Sequence, residues 1–279
     1  MTSSRRESDR IRLKAVDLYA PEYSSEVDVL SIRKYLSSLF PGVTVKCFSP
    51  LATGLRGSAL EGCASALAAS RVKDPSKRVQ SFEPMFGEVE YERRTIAGKS
   101  RVGGIVYDGR RLEGVYRDQI QSRDFLRRCS VVFTQRLVST FSQDDFRHHL
   151  RTIVCGFPSV VSIPGIIEAP AKPREYYFAK QQLESAGAGE LELIRLKSMF
   201  KGRYVDYGDP SVNEVAKGLA LQAIVFHLTL KPFCKTRTCR LFNAHWQEDL
   251  IRSQVESGRL CAAHSRMIGR LARTPLLNW

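Results

Sequence analysis

Four residues near the C-terminal end of the chain carry its clearest chemistry. Cys234 and Cys239 form a C-x4-C pair, and Cys261 and His264 form a C-x2-H pair further on. Zinc takes four nitrogen or sulfur ligands at tetrahedral geometry, and two such pairs brought together by a short helix supply them. His245 lies between the pairs and competes for the fourth place. A C-x2-H turn delivers both of its side chains to one ion, whereas His245 sits on the spacer, so His264 is the expected ligand. The expected cofactor is zinc in a structural role, held by Cys234, Cys239, Cys261 and His264, and contributing about 10 kcal/mol to folding at neutral pH. Three thiolates and a neutral imidazole leave such a site with one net negative charge, which the surrounding arginines can stabilise. The competing reading is that these are small core residues that happen to fall at this spacing.

The elements before the cluster must position it. Residues 211–230 read as a long helix, with Ser211 or Asp209 to cap it, Glu214 in its first turn and Pro232 to end it. Val215, Leu219, Ala223 and His227 recur every four residues and share one face, so His227 should face the core. Upstream, residues 11–19, 43–48, 130–134, 151–155 and 159–167 have strand character, the last broken at Pro164-Gly165. Residues 26–39, 59–72, 175–186 and 190–200 have helical spacing. The first strand–helix–strand run favours a parallel pair. Asp108-Gly109, flanked by residues 102–107 and 112–116, reads as a hairpin turn, residues 73–100 as loops and short strands, and 143–149 as a polar turn.

At the junction of the long helix and the first cysteine pair the chain resembles the archaemetzincins. That family joins H-E-x-x-H-x-x-G-x-x-H directly to C-x4-C-x-M, followed by a spacer and C-x2-C. Here Cys234-x4-Cys239-Arg240-Leu241 matches the middle part with leucine for methionine, and Cys261-Ala262-Ala263-His264 matches the end with histidine for the last cysteine. Residues 243–254 resemble the helical spacer. Sliding the motif back from Cys234 places the first histidine on Ala223, the catalytic glutamate on Ile224, the second histidine on His227, the glycine on Leu230 and the third histidine on Phe233. Zincin chemistry needs two histidines one turn apart on the metal and a carboxylate to take the proton of its bound water. Ala223 cannot ligate and Ile224 cannot act as a base. The resemblance runs from about Ser130 to Leu271 and implies an α/β metzincin-like mixed sheet with flanking helices and a C-terminal zinc-stapled helical subdomain. It also implies a lost peptidase centre, with Leu230 and Phe233 filling the vacated space. Residues 1–125 are then an N-terminal α/β part with a loop-rich insertion and 126–279 the metzincin-like part, as one continuous domain.

The net charge is +14 over 279 residues, which calls for an anionic partner. From residue 201 onward twelve Lys or Arg stand against six Asp or Glu, a net +6. Arg237, Arg240, Arg252, Arg259, Arg266, Arg270 and Arg273 surround the cysteine pairs, so RNA or DNA joins a protein partner as an expectation. No run of eighteen apolar residues marks a membrane span, and no apolar segment marks a secretory signal. Cys47, Cys63, Cys129 and Cys155 stand singly, which suits buried thiols in the cytoplasm. The leading expectation is a non-enzymatic zinc protein that binds a partner. The alternatives are a metallohydrolase with relocated ligands, using His227 with His148, His149 or His245, and a basic nucleic-acid-binding zinc protein.

Overall fold

The computed structural model describes residues 11–23, 26–99, 101, 103–122 and 124–279. Its strands are β1 (Ala15–Tyr19), β2 (Thr44–Phe48), β3 (Val106–Asp108), β4 (Arg128–Thr134), β5 (Leu137–Ser142), β6 (Arg147–Arg151), β7 (Ile153–Val154) and β8 (Ser159–Ser162). Its helices are α1 (Val29–Leu39), α2 (Gly57–Ala69), α3 (Phe86–Ile96), α4 (Gly109–Gln119), α5 (Ile163–Glu168), α6 (Arg174–Ser185), α7 (Glu190–Met199), α8 (Ser211–Thr229), α9 (Gln247–Ile251) and α10 (Ala262–Arg273).

Five strands form a mixed sheet in the order β2-β1-β4-β8-β7, parallel except for the β7–β8 pair, and β3, β5 and β6 form a small second sheet. All five residues of β1 are buried, as expected of a strand covered on both faces. Alternation sorts the side chains: Val131 and Phe133 of β4 join the core formed with α1 and α8, while Val132 faces Tyr107, Leu112 and Tyr116 on the α4 side. Asp17 is buried within β1 and tolerated there because Arg128 grips both of its carboxylate oxygens, at 2.6 and 2.8 Å. Helix α8 is apolar nearly all round and buried from Val212 to Leu228, with α1, α5, β4 and β8 packed about it.

Four sequence expectations are corrected. Asp108-Gly109 makes no hairpin: the Asp108 carboxylate caps α4 by accepting from the amides of Arg110 and Arg111. Gly109 lets that helix lie on the sheet, because a Cβ there would stand 2.7 Å from Val138 and from Val154. Pro164-Gly165 does not interrupt a strand, since β8 stops at Ser162, whose hydroxyl accepts from the Gly165 amide and starts α5 with a proline in its first turn. Residues 73–99 include helix α3, whose first turn is closed by Glu88 accepting from the Met85 amide at 2.9 Å. His148 and His149 lie on strand β6, not in the turn before it. Ser100 and Val102, both within expected elements, lie outside the described residues.

After α8 the chain turns at Leu230 and pairs with itself, the Cys234 amide donating to the Leu241 carbonyl. Helix α9 continues into a π-helical stretch, Arg252–Ser257, before Gly258 reverses the chain toward α10. Residues 275–279 return to β1: the Leu13 amide reaches the Pro275 carbonyl and the Leu277 amide the Ile11 carbonyl. Among the described residues no helix is long and apolar enough to cross a membrane.

Candidate metal centre

The fold brings Cys234, Cys239, Cys261 and His264 together, with one donor atom from each lying within 4.8 Å of all the others. Cys234 Sγ and Cys261 Sγ are 3.9 Å apart. Nδ1 of His264 stands 3.8 Å from Cys239 Sγ and 3.2 Å from Cys261 Sγ. A zinc tetrahedron with bonds of about 2.3 Å to sulfur and about 2.0 Å to nitrogen has edges of about 3.8 Å between sulfurs and about 3.5 Å between sulfur and nitrogen. The residues therefore fit zinc, and the sulfur separation is far too long for a disulfide. His245 stands apart, its Nε2 at 3.4 Å from the Asn243 side chain, so His264 and not His245 completes the set.

Local backbone chemistry builds the two halves. The Thr236 amide donates to Cys234 Sγ at 3.3 Å within the first pair, and the Cys261 amide donates to Cys239 Sγ at 3.4 Å across the two pairs. Cys261 precedes α10, and the His264 backbone N–H at the start of that helix pulls its thiol down to about 6. Burial pushes Cys239, with 0 % of its surface exposed, up to about 12.

The loop is fastened to α8 by a residue whose role the sequence hid. Arg240, counted there among surface arginines, is 4 % exposed. Its guanidinium donates to the Glu214 carboxylate at 3.1 Å, to the Glu214 carbonyl at 2.8 Å and to the Gly258 carbonyl at 3.0 Å. Gln254 in the π-helical stretch donates to the Arg240 carbonyl at 2.8 Å and packs on Gly218. Any Cβ at Gly218 would meet the Gln254 side-chain oxygen, which is why α8 carries a glycine in its interior.

On α8 itself, Ala223 and Ile224 are fully buried in the main core. His227 is 2 % exposed, and its Nε2–H donates to the Leu126 carbonyl at 2.9 Å. The ring lies 5.4 Å from that of Phe157, which also packs on Phe226 and Trp279, and Trp279 donates its indole N–H to the His227 carbonyl. Burial lowers the pKa of His227. Leu230 and Phe233, expected to fill the space beside His227, are both 43 % exposed; the rings of Phe157 and, at the edge, Trp279 stand near His227 instead. Leu230 has φ 56°, the left-handed region that favours glycine.

Residues 12–271 match a family described as a probable metallopeptidase family, DUF6775. The chain belongs to that family. No curated protein matches it. Among solved structures, archaemetzincin from Methanopyrus kandleri is similar at 12 % identity and a TM-score of 0.44, over 94 % of this chain and 96 % of that one. A zinc-dependent peptidase from Methanocorpusculum labreanum is similar at 12 % identity and a TM-score of 0.41, over 91 % and 99 %.

In this member of the probable metallopeptidase family the other histidines are engaged elsewhere. His148 contacts the Ser139 hydroxyl at 3.0 Å and the Lys77 carbonyl at 3.2 Å, and His149 pairs with Asp145 at 2.8 Å. Among the described residues, the Cys/His set is the group of three or more metal-type side chains that converges. A groove of about 640 Å³ runs between β7 and the end of α8, lined by Phe157, Phe226, Pro232 and Phe233. Its carboxylate, Glu113, is held by the Phe157 amide and by Arg110.

One polar cluster escaped the sequence entirely. Arg136, fully buried after β4, binds Glu22 and, at 3.0 Å, Glu92; Glu92 also accepts from Tyr107 and Arg71, each at 2.7 Å. Its members are far apart in the chain and follow no spacing, so only packing reveals them.

Proposed function

We propose that this family member holds one zinc ion in a structural role and has no peptidase centre on α8, acting instead by binding a partner. The observation that carries the reading is the state of α8. Where the archaemetzincin-like motif needs ligand, base and ligand, this helix presents Ala223 and Ile224 buried in the core and a His227 whose Nε2 is engaged by Leu126. A second ligand and a carboxylate one turn apart are required to hold and activate a water-bearing metal, and neither is present there.

Zinc at Cys234, Cys239, Cys261 and His264 would be closed by four protein ligands, with no position left for substrate or water. When bound, it supplies a cross-link between the loop after α8 and the start of α10. The groove beside β7, apolar on its α8 side, offers a concave surface that supports the partner-binding reading.

The test is metal content of the purified protein by elemental analysis, with a peptide-library cleavage assay on the same sample. One zinc per chain and no cleavage are expected. Two zinc ions per chain, or cleavage blocked by a chelator, would overturn the reading in favour of a rebuilt catalytic site.

A further inference from the structure

We propose that α10, together with α1 and the residue before β1 that flanks them, is a docking face for the phosphate backbone of duplex nucleic acid. This names the partner that the preceding reading leaves open, and it rests on that reading only in that the Cys/His cluster holds α10 in place. Arg266, Arg270 and Arg273 follow one another at four and three residues along α10, so they share a face, and all three are exposed. Over those seven residues the helix rises about 10 Å. A duplex presents one negative charge per about 1.7 Å of axis, so a helix laid along it meets several phosphates.

The neighbourhood adds mainly positive charge; its acids are Asp28, which caps α1, and Glu214, which lies near Tyr35 of that helix. From residue 257 to residue 279 the chain contains no Asp or Glu. Helix α10 packs on α1, whose charged residues are Arg33 and Lys34, both exposed. The guanidinium of Arg12 lies beside Gly42, which also approaches the Ala272 carbonyl near the end of α10. None of these six cations forms an ion pair among the described residues. Four arginines elsewhere are instead paired with an acid close in sequence: Arg93 with Glu90, Arg127 with Asp124, Arg147 with Asp145 and Arg252 with Asp249.

The remaining surface of α10 favours a nucleic acid over the other polyanions. Gly269 between the arginines, and Ala262 and Ala263 before them, are exposed and leave the helix low enough for a phosphate backbone to approach closely. The helix exposes no large apolar side chain, since its Ile268 is buried, so it lacks the anchors a membrane interface or a protein hot spot uses. Five of the six cations are arginine, whose planar fork matches phosphate oxygens in pairs. No Phe, Tyr or Trp lies on α10, which argues against stacking on single-stranded bases.

The experiment is fluorescence anisotropy of a labelled DNA duplex of mixed sequence, titrated with the full chain across a series of salt concentrations. Each phosphate contact contributes about 0.9 to the slope of log affinity against log salt. The triple variant Arg266→Gln/Arg270→Gln/Arg273→Gln keeps helix propensity and should flatten that slope by about 2.7, which at 0.1 M salt is a loss of several hundred-fold. A control, Arg93→Gln/Arg147→Gln/Arg252→Gln, removes three paired arginines and should leave the slope in place. Zinc content and melting temperature equal to wild type confirm that the triple variant is folded. An RNA duplex bound with the same slope supports the surface too, because it reads phosphates. Equal slopes for wild type and the triple variant overturn the proposal, as does tighter binding to a single strand, or to phosphatidylserine vesicles, than to the duplex. Failure here leaves the zinc count standing, and a second zinc or peptide cleavage would leave the slope standing.

Discussion

Replacing Cys239 by serine tests what holds the C-terminal end together. The sulfur lies in the main core with 0 % of the residue exposed, 3.8 Å from His264 Nδ1, and accepts the Cys261 amide. Ordering the twelve residues of α10 costs about 1–2 kcal/mol each. Its packing offsets only part of that: Ile268 is the one buried side chain, worth about 1.5–3 kcal/mol, with Met267, Leu271 and Ala272 partly covered. A helix of this length is marginal by itself. Binding of structural zinc contributes about 10 kcal/mol or more, a large share of what remains. Cys239→Ser should therefore lose the metal and release α10, while the sheet and α8 stay folded. Elemental analysis should fall from one zinc to none, and hydrogen exchange should show lost protection from residue 259 to residue 273 with β1 and α8 unchanged. Chelation of the wild type should reproduce the same pattern. A variant that keeps both its zinc and the protection of α10 would refute the reasoning, because the helix would then be held by packing alone.

The depressed pKa of His227 means that the unfolded chain takes up a proton that the folded chain refuses. Stability from this group is complete above the ordinary value of about 6.5 and is lost as pH falls below it, by at most about 1.4 kcal/mol per pH unit. Urea melts at pH 7.5 and 5.5 should show a larger acid loss for wild type than for His227→Phe, with zinc content unchanged in both; parallel profiles would exclude the buried, neutral imidazole. Leu230→Gly relieves a left-handed residue of about 1 kcal/mol while giving up a half-exposed side chain, so its melting temperature should not fall, whereas Leu228→Ala in the core should lose about 2–5 kcal/mol. Arg136→Met leaves Glu22 without its cation and Glu92 with Arg71 alone, and should cost about 3–5 kcal/mol at neutral pH, with part of the loss recovered in acid as the carboxylates protonate. A loss that does not shrink on acidification would show that packing, rather than charge, is at stake.

How much was legible in the sequence varied with the range of the interactions. The convergence of the two Cys/His pairs was readable because each pair is made by a turn of a few residues. The structure gathers Cys234, Cys239, Cys261 and His264, and sets His245 aside. Helix α8 was readable from its period and its stop at Pro232, and His227 faces the core as its spacing required. The Asp108-Gly109 pair was misread because the same two residues serve a hairpin or a helix cap. The choice between them was made by Val138 and Val154, which lie close against Gly109 and arrive from elsewhere in the chain.

Charge followed the same rule. Composition alone determined that the protein is strongly basic and that its C-terminal part carries seven arginines among the cysteines and beyond. Only the fold decided that Arg240 is buried between Glu214 and Gly258 while Arg266, Arg270 and Arg273 remain free in solvent. Only the fold, likewise, joined Arg136 to Glu22 and Glu92, and laid α1 against α10. The physical reason is that residue type and local spacing set what a side chain can do. Which partner it meets depends on long-range packing, where burial makes an unpaired charge costly and water makes it cheap.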